Sequence, residues 1–180
     1  MVVKNKKFTE EEIKGSDFQA VRYLGCDFSG LKFRFSSFED CVFTNCNFAN
    51  AKLDQVNFNR CTFPGSKLSW LNFELAKLDD CNFSQSIIEG SVFQKQSLKT
   101  CSFAGADLTS TVFENCDLSG VDFTESKLER VGFEFCKLIK ADLSRAILAG
   151  TSFEKCKISG TKLDLDGFVS FGTSQGFVLS

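Results

Sequence analysis

Residues 106–128 read ADLTSTVFENCDLSGVDFTESKL, and one short pattern returns in them every five residues. Leu108, Phe113, Leu118, Phe123 and Leu128 are large apolar centres, and Ala106, Thr111, Cys116, Val121 and Ser126 stand two residues before them. A period of five matches neither the 3.6 of a helix face nor the 2.0 of a strand. The stretch therefore reads as an internal repeat, whose units bury their centres only by stacking on one another.

Outward from this stretch the register holds. From Phe8 to Phe168 every fifth residue is Phe, Leu, Ile or Tyr, at 33 positions without exception. Of the 30 positions two residues earlier, Ser16 to Thr161, all but Leu31, Leu71 and Gln96 are Cys, Ser, Ala, Val or Thr. Large and small residues thus alternate on an inward face, and the three polar places left in each unit face solvent or turn. Glycines such as Gly65, Gly90, Gly105 and Gly150 close their units, at a corner where relaxed backbone demands are useful. A second period, of 20, is also present. Phe43, Phe63, Phe83, Phe103 and Phe123 form one column, Phe73, Phe93, Phe113, Phe133 and Phe153 another offset by ten, and Leu or Ile columns run between them.

The units ADLTS, CDLSG, VDFTE, ADLSR, CNFAN and CDFSG resemble the pentapeptide-repeat family, over nearly the whole chain. The resemblance implies an all-β fold, a right-handed quadrilateral parallel β-helix with four units per coil and one unit per side. The 180 residues then divide into an N-terminal segment and cap (1–15), a β-helix (16–163) and a short C-terminal helix with an apolar dimerisation tail (164–180). About eight coils at ~4.8 Å spacing make a rod roughly 40 Å long.

Composition narrows the function. All nine cysteines occupy the small inward position, no CxxC pair occurs and there is no His, so the common zinc spacings are absent. The thiols read as small buried hydrophobes, which favours a reducing, cytoplasmic compartment. The start, MVVKNKK, is a frayed or capping segment with no apolar run for a signal peptide or a membrane span. Without His as a general base or insertions to build a concave pocket, we expect no enzyme, no cofactor, no metal and no small-molecule substrate. Neither a basic patch nor a stacking motif points to nucleic acid.

Two surface features remain. Directly after the centres of one side come Asp54, Glu74, Gln94, Glu114, Glu134 and Glu154, which at 20 residues per coil stack into an acidic stripe. Phe35, Leu75 and Phe135 flank it, Trp70 is also at an outward corner, Lys95 and Lys155 neutralise part of the row, and Lys32, Lys52 and Lys162 fall on this side or beside it. After Leu163 the register dissolves. Asp164 or Asp166 can cap a short helix held by Phe168 and Phe171, Gly176 can stop it, and Phe177, Val178 and Leu179 leave an apolar end suited to a dimer interface. This end resembles that of the Qnr-type quinolone-resistance proteins and their mycobacterial relative. The resemblance implies a dimer of end-to-end rods that mimics DNA, with Asp54, Glu74, Glu114, Glu134 and Glu154 facing the DNA-binding saddle of DNA gyrase or topoisomerase IV. Such a protein inhibits that enzyme or protects it from quinolones. The net charge of only −2 speaks for the alternative, a structural or adaptor solenoid that binds another protein.

Overall fold

In the computed structural model, which describes residues 1–174 and 176–178, residues 20 apart lie side by side in parallel ladders. The strands are β1 (Val2–Lys4), β2 (Asp17–Gln19), β3 (Arg22–Leu24), β4 (Ser37–Glu39), β5 (Val42–Thr44), β6 (Asn57–Asn59), β7 (Lys77–Asp79), β8 (Val92–Gln94), β9 (Val112–Glu114), β10 (Gly132–Glu134) and β11 (Ser152–Glu154). A helical turn, α1 (Glu10–Ile13), interrupts the first coil, and α2 (Leu165–Ser174) follows the last. Three sheets result, ordered β1-β3-β5, β2-β4-β6-β7 and β11-β10-β9-β8. Single bridges prolong them, as from Val42 through Thr62, Asn82, Ser102, Asp122 and Asp142 to Lys162. The chain is a parallel β-solenoid of about eight coils with four sides, designated here by their centres Tyr23, Phe28, Phe33 and Phe38.

The basic start is not frayed. β1 pairs with β3 in register, and α1 is closed by a capping box between Thr9 and Glu12 while Ile13 is fully buried.

The repeat fixes the core. The centres are buried except at the ends, where Phe18, Phe153 and Leu163 are half-buried and Ile158 and Phe168 exposed. Tyr23, Phe43, Phe63, Phe83, Phe103 and Phe123 form one ring stack, with neighbouring centroids 4.8–5.3 Å apart and nearly parallel planes. Phe73 to Phe153 form a second at 4.3–5.2 Å, and the two meet edge to face, as Phe93 and Phe103 do at 5.8 Å and 87°. Coil spacing suits stacking along the rod, and the ring quadrupole favours edge contacts across it.

Cysteine marks a difference between units. In most units the N–H three residues past the centre bonds back to the centre's carbonyl, as Ala106 does to Phe103 at 3.0 Å. Where the unit runs as a strand that turn bond is not made; the carbonyl accepts a ladder N–H from the next coil and keeps a second lone pair for a side-chain donor. Cys26, Cys41, Cys46, Cys61, Cys81, Cys116, Cys136 and Cys156 each follow a strand, and each thiol reaches a centre's carbonyl one coil back. Cys61 Sγ, for example, is 3.3 Å from Phe38 O. Cys101 follows no strand, and its N–H closes an ordinary turn on Leu98. All nine thiols are free, but eight are hydrogen-bond donors as well as small hydrophobes.

Two oversized residues interrupt the ladders. Gln96 stands where a small residue belongs, and its Nε2 donates to the carbonyls of Phe73, Glu74 and Ala76 at 2.9–3.3 Å. It fills the gap between β7 and the next coil. Leu71 is buried at the other gap, where among the described residues no backbone bond joins Leu53 to Asn72 and Gln55 N–H reaches Leu75 O instead. A cleft of about 270 Å³ opens there between Trp70 and Leu75. Strands occupy the Tyr23 and Phe38 sides towards the N-terminus and the Phe33 side towards the C-terminus.

Candidate functional site: an acidic row and an apolar end

The second residue of many units is Asp or Asn, and its side chain accepts the N–H two residues on, as Asp117 does from Ser119 and Asn82 from Ser84. These polar groups belong to the turn. Candidates for recognition are therefore sought at the fourth and fifth positions.

On the Phe33 side the fourth positions form the expected row. Register places Gln94, Glu114, Glu134 and Glu154 in consecutive rungs, with Glu74 above them. Asp54 is separated from Glu74 by the ladder gap. The charges are unequal in availability. Lys95 binds Glu74 at 3.2 Å, Lys155 binds Glu154 at 3.4 Å, and Arg34 stands 3.8 Å from Asp54. Glu114 accepts from Gln94 at 2.7 Å and from Asn115, whereas Glu134 has no ion-pair partner among the described residues. Lys162 does not lie on this side: it continues the Tyr23 side and pairs with Asp142 at 2.9 Å. The expectation that placed it beside the row fails because 20 residues, not proximity in sequence, decide which residues share a side.

Sequence reasoning began this row at Asp54 and missed what stands above it. Lys14 and Arg34 occupy the same fourth position in the first two coils, and Lys32 and Lys52 pair one rung apart on the same side. The Phe33 side is thus basic towards the N-terminus and acidic towards the C-terminus. The signal was available, since Ile13 and Phe33 are followed by Lys14 and Arg34.

Large residues mark the corners. Phe35, Trp70, Leu75 and Phe135 are 64%, 58%, 60% and 49% exposed. Trp70 lies along the rod onto Gly90, where a Cβ would clash with its ring, and Lys155 Nζ sits 4.9 Å above the Phe135 ring.

At the C-terminus Asp164 Oδ1 accepts the Gly167 N–H at 2.8 Å, so Asp164 is the helix cap. The N–H groups of Gly176 and Phe177 return to Thr173 and Gly172, a Schellman closure with Gly176 at φ 87°. Phe171 packs edge-on against Phe153 at 5.5 Å, as expected, but Phe168 does not hold the helix. It is exposed, and the buried contact is Gly167 against Leu163 and Leu148, because only a residue without a side chain lets the helix backbone approach that closely. Ile158, Leu165, Phe168, Phe177 and Val178 leave this end apolar, while Leu179 lies outside the described residues. Among the described residues no helix is long and apolar enough to cross a membrane, and no group of three or more His, Cys, Asp or Glu could hold a metal.

Comparison with known proteins agrees with the architecture. A family model described as a pentapeptide repeat region matches residues 36–113 and 102–163, and one described as pentapeptide repeats (8 copies) matches 13–48. No curated protein matches the sequence. Among solved structures, full-length QnrB1, a plasmid-mediated fluoroquinolone resistance protein, is similar with a TM-score of 0.60 at 16% identity, over 98% of this chain and 97% of that one. A trypsin-treated QnrB1 variant gives 0.59 at 21% identity, over 100% and 98%. HetL, a pentapeptide repeat protein of heterocyst differentiation regulation from the cyanobacterium Nostoc, gives 0.40 at 18%, over 93% and 88%.

Proposed function

The chain belongs to the pentapeptide-repeat family, and from that premise we propose that it is a non-enzymatic, cytoplasmic DNA mimic that binds a type II topoisomerase. Binding would inhibit DNA gyrase or topoisomerase IV, or protect it from quinolones. The observation that carries the reading is the row of Glu114, Glu134 and Glu154, repeated at one-coil intervals on an insertion-free rod. Like charges one rung apart repel, so stability alone does not favour such a row. Opposite the Lys and Arg of a DNA-binding groove the same carboxylates would stand in for phosphates, and the attraction would fade with salt. Likeness of fold to QnrB1 adds support of a general kind.

The apolar C-terminal end would join two such rods, which doubles the length of the acidic track. Phe177→Asp is expected to give monomers with intact coils by light scattering. The reading itself is tested by gyrase supercoiling with purified protein, with and without ciprofloxacin and at two salt concentrations. Inhibition or drug rescue that weakens with salt and is lost in Glu114→Lys/Glu134→Lys supports it. A folded protein without effect moves the assignment to an adaptor solenoid, a reading that the internal pairing of Asp54, Glu74 and Glu154 favours.

A further inference from the structure

We propose that two copies of this chain associate side by side and antiparallel through their Phe33 sides. The observation is the sign change along that side. Lys14 and Arg34 stand at one end of a column whose other end is Glu114, Glu134 and Glu154. A two-fold axis lying across the side reverses the rod direction but keeps each corner opposite the same corner of the second copy, so such a surface is complementary to itself.

Equal coil spacing makes the pairing a single choice. With Arg34 opposite the partner's Glu134, Lys14 meets the partner's Glu154. Phe35 then meets the partner's Phe135, so two exposed rings on the same corner column cover each other. Lys32 comes opposite the partner's Gly132, where there is room for its side chain. Near the axis Trp70 approaches the partner's Trp70 over the cleft. Asp54 comes opposite the partner's Glu114, and Lys52, which has no ion-pair partner of its own among the described residues, stands beside them. Lys14 and Glu134, likewise without ion-pair partners in their own chain among the described residues, both gain one.

A side about 40 Å long and one strand wide buries on the order of 500 Å² per copy, below the ~800 Å² of a standard stable interface. The association is therefore weak and salt-sensitive, and it covers the acidic row. It requires no topoisomerase and no C-terminal contact, so it stands or falls apart from the proposed function.

The test is sedimentation of the purified full chain from about 10 μM to about 1 mM at low salt, with the emission of Trp70, the only Trp of the chain, as second readout. Arg34→Glu, at an exposed position, and Glu134→Arg, at a half-buried one, are each expected to weaken the side-by-side step about tenfold. Arg34→Glu/Glu134→Arg should restore it to within about threefold, because the two-fold repairs both contacts at once. The C-terminal contact contains none of these charges and does not respond. Absence of a concentration-dependent step, single reversals without effect, or a double variant no better than the singles would overturn the proposal.

Discussion

Corner residues show what a five-residue unit costs its backbone. Twenty residues other than glycine, from Asn5 to Lys155, take φ of 49–62°, a region that L-residues pay roughly 1–2 kcal/mol to enter. The ladder bonds on either side over-determine that conformation, so glycine is not required by φ alone. It is required where the corner side chain of the preceding coil lies down upon it, as Trp70 does on Gly90 and Asn45 on Gly65. Gly90→Ala is expected to destabilise by about 2 kcal/mol, more than Gly120→Ala, where a Cβ meets nothing within 4 Å. Urea unfolding followed by Trp70 fluorescence separates the two.

Cysteine carries a second residue-scale prediction. Cys81 Sγ lies 3.3 Å from Phe58 O, a buried carbonyl with no turn bond of its own. Cys81→Ala removes the thiol's bond to that carbonyl, which keeps its ladder bond from the Asp79 N–H, and is expected to cost about 0.5–1.5 kcal/mol in urea unfolding, whereas Cys81→Ser should cost less. Ser66 and Ser91 already serve such carbonyls through their hydroxyls, at 2.7 and 2.8 Å.

Among the elements, α2 depends on packing more than on propensity, since Gly167, Gly172 and Thr173 all weaken it. Its contact with the coils is the bare Gly167 backbone, where a Cβ would come 3.0 Å from Asp164 Oδ1 and 3.4 Å from Leu163. Gly167→Val is expected to lift the helix from the last coil at about 1–3 kcal/mol. Hydrogen exchange would then show lost protection in α2 with β8 to β10 unchanged. The ring columns were legible in the sequence through its period of 20, and the resemblance to pentapeptide repeats implied the solenoid that stacks them. Phe168 was misread for a physical reason: once the chain turns helical, the five-residue rule no longer says where a side chain points.

The whole molecule is a sum of nearest-neighbour coils, so its stability follows the groups repeated in each. Asp27, Asp107, Asp117 and Asp142 all have carboxyls held below their usual range. For Asp142 hydrogen bonding from Ser144, then the Lys162 ammonium, brings the value to about 2. A lowered folded pKa contributes stability above the unfolded value of ~3.9, which is lost as pH falls through the folded one. The thermal midpoint is expected to be level near neutrality and to drop between about pH 4 and pH 2. A midpoint that rises on acidification would show that relief of repulsion along the glutamate row outweighs the turns.

By itself the sequence determined the five-residue repeat, the period of 20, the inward thiols and the outward aromatics, because each follows from a period that one chain carries in its own order; the four-sided coil came from its resemblance to pentapeptide repeats. Only the tertiary structure decided the rest. It showed which units run as strands, where Leu71 and Gln96 break the ladders, and which carboxylates meet a cation of the same chain. These depend on contacts between residues about 20 apart, whose geometry is set by neighbouring coils together and is not written in any single unit.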